Sequence, residues 1–141
     1  MTRGERLRRA VDRLNHVPMT WGQDDCSMFP ALWAAAITGR SAQWPRYSTE
    51  AEAHALIFEA GGLVPLWRRL ADEMGLRERE RGEPPLVGDV GVISTRRMGE
   101  AGGVFAEHGV LCWRAETGVR LLAPRWQTVL AIWEVPECPL R

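Results

Sequence analysis

The chain has 141 residues, 45% of them hydrophobic and 26% charged, enough apolar material for one domain with its own core. Its 18 basic and 18 acidic side chains balance to a formal net charge of zero, which excludes the electrostatic signature of a nucleic-acid or anionic-membrane partner. All 18 basic residues are arginine, a bias expected of GC-rich bacterial or viral coding.

The N-terminus carries arginines but is amphipathic, so neither a signal peptide nor a membrane span is expected. Cys26, Cys112 and Cys138 are odd in number, widely spaced and free of any CxxC pair. That pattern indicates neither a disulfide framework nor a zinc site, and fits synthesis in a reducing cytoplasm. No cofactor or metal is expected. Seven tryptophans are many for this length; core and interface packing accounts for them better than stacking on sugar rings.

In chain order, Leu7, Ala10, Val11 and Leu14 recur at helical spacing and predict a helix over residues 3–15, broken by Pro18 and Gly22. A second helix follows Cys26, with Phe29, Leu32, Trp33, Ala36 and Ile37 on one side and Gly39 as its stop. Pro30 fits best if Ser27 is the N-cap, because the proline then falls where helical N–H groups have no partner. Cys26 then lies just outside the helix.

Residues 40–48 read as a loop. Thr49-Glu50-Ala51-Glu52 is a capping-box pattern opening a helix to about Ala60, and a further helix runs from about Pro65 to Met74. Residues 77–83 read as a solvated charged loop. Beyond Pro84-Pro85 the period changes to that of strands, predicted at 89–93, 109–113, 119–123 and 130–135, with residues 98–103 as a flexible glycine-rich connector. Helices first and about four antiparallel strands afterwards predict a single α+β domain over residues 1–141.

Trp21-Gly22-Gln23-Asp24-Asp25-Cys26-Ser27 is the stretch most suggestive of chemistry. A thiol among unpaired amides at a helix start is favoured as thiolate, the nucleophilic form, and needs a base within hydrogen-bond reach. His16 ends the first helix, while Glu50 and His54 sit four apart as half a metal site lacking further ligands. His108, in Glu107-His108-Gly109, is the remaining candidate base. Trp21, Asp24 and Asp25 are the candidate binding residues around Cys26.

Trp-Gly, Asp-Cys-Ser at a helix start, Gly88-Asp89-Val90 opening a strand and then His beside Gly resemble the NlpC-type papain-like cell-wall peptidases. Their pattern runs Tyr-x-Trp-Gly-Gly, Asp-Cys-Ser-Gly, Pro-Gly-Asp-Leu, His-Val-Gly-Ile, then a third polar residue on the following strand. A fuller resemblance is to a group of short phage and prophage proteins distantly related to those peptidases. It is carried by Trp21-Gly22, Asp25-Cys26, Phe29, Thr38-Gly39, Tyr47-Ser48-Thr49, Gly61-Gly62, Gly88-Asp89-Val90 and Ile132-Trp133-Glu134-Val135.

The resemblance implies an NlpC-like, papain-related fold and a virion component at the tail tip or baseplate, with other tail proteins as partners. Departures from the active pattern are several. Met19 replaces the tyrosine and Met28 the glycine after Cys-Ser. Aligning Gly109 with the family glycine puts Glu107 at the base position and His108 one residue off, on the opposite face of a strand unless a bulge intervenes. Leu122 holds the third polar position, with Gln127 as a substitute close in sequence.

Two functions follow. In one, the fold is a degenerate structural part of a phage or prophage tail tip, packing on its neighbours through a tryptophan-rich surface. In the alternative, Cys26 attacks a peptidoglycan stem-peptide carbonyl with His108 as base and helix-start amides as oxyanion donors. The off-register base and the apolar third position favour the structural reading.

Overall fold

In the computed structural model, residues 1–137 are described; Cys138 lies outside them. Four helices precede a six-stranded sheet. The helices are α1 (Arg3–Leu14), α2 (Met28–Thr38), α3 (Glu50–Ala60) and α4 (Leu63–Met74). The strands are β1 (Arg77–Glu78), β2 (Val90–Thr95), β3 (Gly99–Phe105), β4 (Leu111–Arg114), β5 (Val119–Leu122) and β6 (Val129–Glu134). All neighbours in the sheet are antiparallel, in the order β1-β6-β2-β3-β4-β5.

Local chemistry sets most helix ends. Thr2 and Glu5 form a reciprocal capping box for α1, and Thr49 accepts the Glu52 N–H at the start of α3. Gly39, Gly61 and Gly75 close α2, α3 and α4 in the left-handed conformation. The fourth helix begins at Leu63, two residues before Pro65. The Glu100 carboxylate accepts the Leu63 N–H at 2.9 Å, and Pro65 then occupies a first-turn position that needs no N–H.

The helices cover one face of the sheet. Phe29, Trp33, Ile37, Leu66, Trp67 and Leu70 bury against Val90, Val92, Val104, Cys112 and Trp133. Trp67 stacks obliquely on Trp133 and meets Trp44 edge-on, both at 5.8 Å between ring centroids. Trp33 is buried too and donates to the Gly88 carbonyl. Of the seven tryptophans, Trp126 alone is exposed, so the expected tryptophan-rich surface is a tryptophan-rich interior. A smaller cluster of Ile93, Ala101, Phe105, Leu111 and Ile132 fills the opposite face.

Several expectations are corrected. The sheet has six strands, not about four. Residues 98–103, expected as a flexible connector, lie mostly in β3, paired with β2 from Thr95↔Gly99 to Val90↔Val104. Glycine there serves close packing: a Cβ on Gly103 would come within 2.5 Å of the Cys112 carbonyl oxygen and 2.8 Å of Leu111 Cγ. The expected charged loop at 77–83 opens with β1, which pairs with β6 as an edge strand. Arg77 bridges Glu83 and Glu134, Arg68 holds Glu78, and Arg79 reaches buried Asp89 at 2.7 Å, so this edge is fenced by ion pairs.

The strand expected from residue 109 starts at Leu111, because 107–109 form a single 3-10 turn. Leu32 and Ala36, expected on the buried side of α2, are exposed; Pro30, Ala31 and Ala34 take their place. Asp89 is structural as expected, its buried carboxylate accepting from Leu86 N–H and Arg79.

Gly103→Ala should lower stability by roughly 1–3 kcal/mol through overpacking. Gly4→Ala, whose Cβ would meet neighbours only at 3.4 Å or beyond, should raise it by about 0.5 kcal/mol. Urea unfolding followed by tryptophan fluorescence measures both.

Candidate functional site

The segment before α2 is organised by one carboxylate. Asp25 has no exposed surface, and its two oxygens accept four hydrogen bonds. Oδ1 takes the N–H groups of Ser27 (2.9 Å) and Met28 (3.0 Å); Oδ2 takes the Gly22 N–H and the Tyr47 hydroxyl, both at 2.7 Å. Gly22 can be nothing larger, since its φ is +82° and a Cβ there would collide with the Tyr47 carbonyl oxygen. Ser27 holds the N-cap position as expected, but its side chain makes no cap; Asp25 does that work.

Asp24 faces the sheet. Its Oδ1 accepts the Thr20 N–H at 2.6 Å and its Oδ2 meets Arg114 Nη2 at 3.0 Å. Arg114 is fully buried and also donates to the carbonyls of Asp24, Val17 and Gly118. One guanidinium thus ties the turn, the end of the α1 connection and the β4–β5 hairpin together. Trp21, half-buried, lies edge-on to His54 at 6.4 Å. Asp24 and Asp25 are both consumed by internal contacts.

Cys26 is partly buried beside this carboxylate. Burial and then the Asp25 charge push its thiol up to about 11. The thiolate fraction at pH 7 is on the order of 10⁻⁴. The sequence leads one to expect a thiolate favoured by helix-start amides, and the structure overturns that for a definite reason. Asp25 Oδ1 takes the Ser27 and Met28 N–H groups, the Phe29 N–H goes to the Asp25 carbonyl at 2.8 Å, and Pro30 has none. The Cys26 N–H and the Ser27 N–H and hydroxyl still pull the thiol down, but burial and the Asp25 charge outweigh them.

The strands opposite Cys26 offer no base. Gly102 on β3 lies under it, so close that a Cβ would be 3.4 Å from the Cys26 carbonyl oxygen. β3 and β4 pair at Val104↔Cys112 and Phe105↔Leu111, and Arg114, two residues beyond Cys112, carries donors only. His108 is elsewhere. It sits exposed, at φ 60°, in the 3-10 turn beyond the far end of β3.

The neighbouring Glu107 carboxylate lies 3.4 Å from where a Gly4 Cβ would be, at the first turn of α1. Arg114 and the Asp24–Cys26 segment belong to the other end, where α1 gives way to Val17. Twelve helical residues, about 18 Å, separate those ends. The structure does not bring Cys26 and His108 together.

His16 and His54 are exposed, the latter 3.8 Å from Glu50, and among the described residues no group of three or more ligand side chains could hold a metal. Leu122 packs on the second apolar cluster, and Gln127 is exposed in a turn before β6. Beside Ser27 and Tyr47, a cavity of about 10 Å³ lined also by Trp44, Leu56, Ile57 and Leu66 has room for about one water.

Sequence reasoning missed Arg114 and Tyr47. Arg114 was legible in principle, because Leu111-Cys112-Trp113-Arg114 alternates and puts the arginine on the face of buried Cys112, where it requires an acidic partner. Tyr47 was visible as the single tyrosine and within the Tyr47-Ser48-Thr49 motif of the resemblance, but its partner Asp25 was not.

The family described as Domain of unknown function (DUF6950) matches residues 2–135. No curated protein matches the chain.

Alkylation of Cys26 by iodoacetamide, followed by peptide mass spectrometry, should rise about tenfold per pH unit from pH 7 to 10, because the neutral thiol dominates below its raised pKa. A plateau near pH 8 would contradict this site. Asp25→Ala should cost about 3 kcal/mol in urea unfolding, from the lost cap and the unpaired Tyr47 hydroxyl.

Proposed function

We propose, for a chain that belongs to the DUF6950 family, a non-catalytic structural role in a phage or prophage tail tip or baseplate, on a degenerate NlpC-like, papain-related scaffold. Support for the scaffold comes from a cysteine just before a buried helix that packs on an antiparallel sheet. The resemblance of the motif order to short phage tail-gene proteins supports the setting, and with it other tail proteins as partners.

The observation that carries the non-catalytic part is the occupancy of the helix start. Asp25 takes the Ser27 and Met28 amides for its own carboxylate, and its charge opposes a thiolate beside it. The strand residue lying against the Cys26 backbone is Gly102, which carries no side chain to act as a base. A nucleophile held as a neutral thiol, with a glycine against its backbone and no imidazole beside it, lacks a proton acceptor. What survives is the architecture: the carboxylate and guanidinium beside the cysteine now lock the helix-to-sheet junction.

Two measurements test this. Wild type and Cys26→Ala should release equally little stem peptide from purified cell wall; release by wild type that Cys26→Ala abolishes would establish the peptidase alternative instead. Mass spectrometry of purified virions from a phage or induced prophage carrying the gene should find the chain in the particle at a fixed ratio to tail proteins. Its confinement to the cell lysate would sink the tail assignment.

A further inference from the structure

The outward face of α3 is apolar where a solvated helix should be polar. Ala51, Ala55 and Phe58 fall at i, i+4 and i+7 along it, and Phe58 is 86% exposed. Ala53 is the only fully buried residue of the helix, so α3 turns most of its surface away from the core. Acids line this face: Glu52 and Glu59 on one flank, Glu50 beside His54 on the other. Symmetric pairing of two α3 helices would set glutamate against glutamate. The face therefore fits a basic partner with a seat for an aromatic ring.

The same chain carries such a surface. Helix α1 holds five arginines against two acids, whereas α3 holds three glutamates and no arginine. Arg3 is engaged by Glu137 and the Val135 carbonyl, but among the described residues Arg6, Arg8, Arg9 and Arg13 enter no ion pair. An open hollow lined by Met1, Arg6, Arg9, Asp12 and Arg13 runs along the helix. Arginine stems and a thioether make a surface on which an aromatic ring packs well, with the guanidinium groups free to meet carboxylates at the rim. The helices match in length, at 12 and 11 residues.

We propose that the chain self-associates head to tail, the Phe58 face of α3 in one copy seating in the arginine-lined hollow of α1 in the next. Each copy carries both halves of the contact, so the assembly is a ring if the rotation closes and a filament if it does not. The inference is independent of the tail assignment, since it concerns only how two surfaces of this chain fit each other.

Sedimentation velocity of the full chain over a concentration series should show oligomers at low salt that weaken at least tenfold in 0.5 M NaCl, because the contact is ringed by exposed charges. Arg9→Glu/Arg13→Glu and Glu50→Arg/Glu59→Arg, each checked for folding by circular dichroism, should be monomeric alone. Mixed in equal amounts they should associate again, since the acidic α1 of one then meets the basic α3 of the other. A wild-type chain monomeric at every concentration overturns the proposal and leaves the α3 face to a different protein. So does association that survives Arg9→Glu/Arg13→Glu but not Phe58→Ser, which would mark a symmetric α3 contact, or failure of the mixture to associate.

Discussion

A buried carboxylate can be tolerated only if its oxygens are supplied with donors, and Asp25 obtains four of them from three separate pieces of chain. The Gly22 N–H fixes the turn, the Ser27 and Met28 N–H groups fix the start of α2, and the Tyr47 hydroxyl pins the loop that leads to α3. Remove the acid and each of these pieces loses its reference point at once. The absence of a side chain at Gly22 belongs to the same arrangement, because the Tyr47 backbone must pass directly over it.

Asp24 and Arg114 extend this order to the sheet. A fully buried guanidinium is costly to desolvate, and it is held here by one carboxylate and three carbonyl oxygens. Those acceptors come from the turn before α2, from Val17 three residues beyond α1 and from the β4–β5 hairpin. Helical layer and sheet therefore meet in register at the level of Cys26. Gly102 sits at this junction, where a Cβ would already be in van der Waals contact with the cysteine backbone, Pro30 and Trp67.

The arrangement that stabilises this junction competes with chemistry at the same atoms. Amide donors at a helix start can stabilise a thiolate or satisfy a carboxylate, and here the carboxylate one residue away holds those of Ser27 and Met28. Its charge then adds to burial in keeping Cys26 protonated. The same Asp-Cys-Ser segment thus reads as a nucleophile motif in one dimension and as a helix anchor in three.

What the sequence alone determined was local. The boundaries of α1 and α3, the glycine stops and the place of Ser27 and Pro30 follow from capping chemistry and from period, which act over a few residues. Alternation exposed strands at 89–93, 109–113, 119–123 and 130–135, within two residues of β2, β4, β5 and β6, but not β3, whose glycines look like a linker until close packing on Leu111 and Cys112 explains them. It missed β1, whose arginines and glutamates read as a solvated run until β6 pairs with them. The candidate site was legible as a list: Cys26, Asp24 and Asp25 were singled out, while their roles were not. Only the tertiary structure decided that both acids turn inward, that Arg114 and Tyr47 meet them, and that His108 lies at the other end of α1. Those outcomes depend on contacts between residues 22 to 90 positions apart, and no local periodicity encodes such pairings.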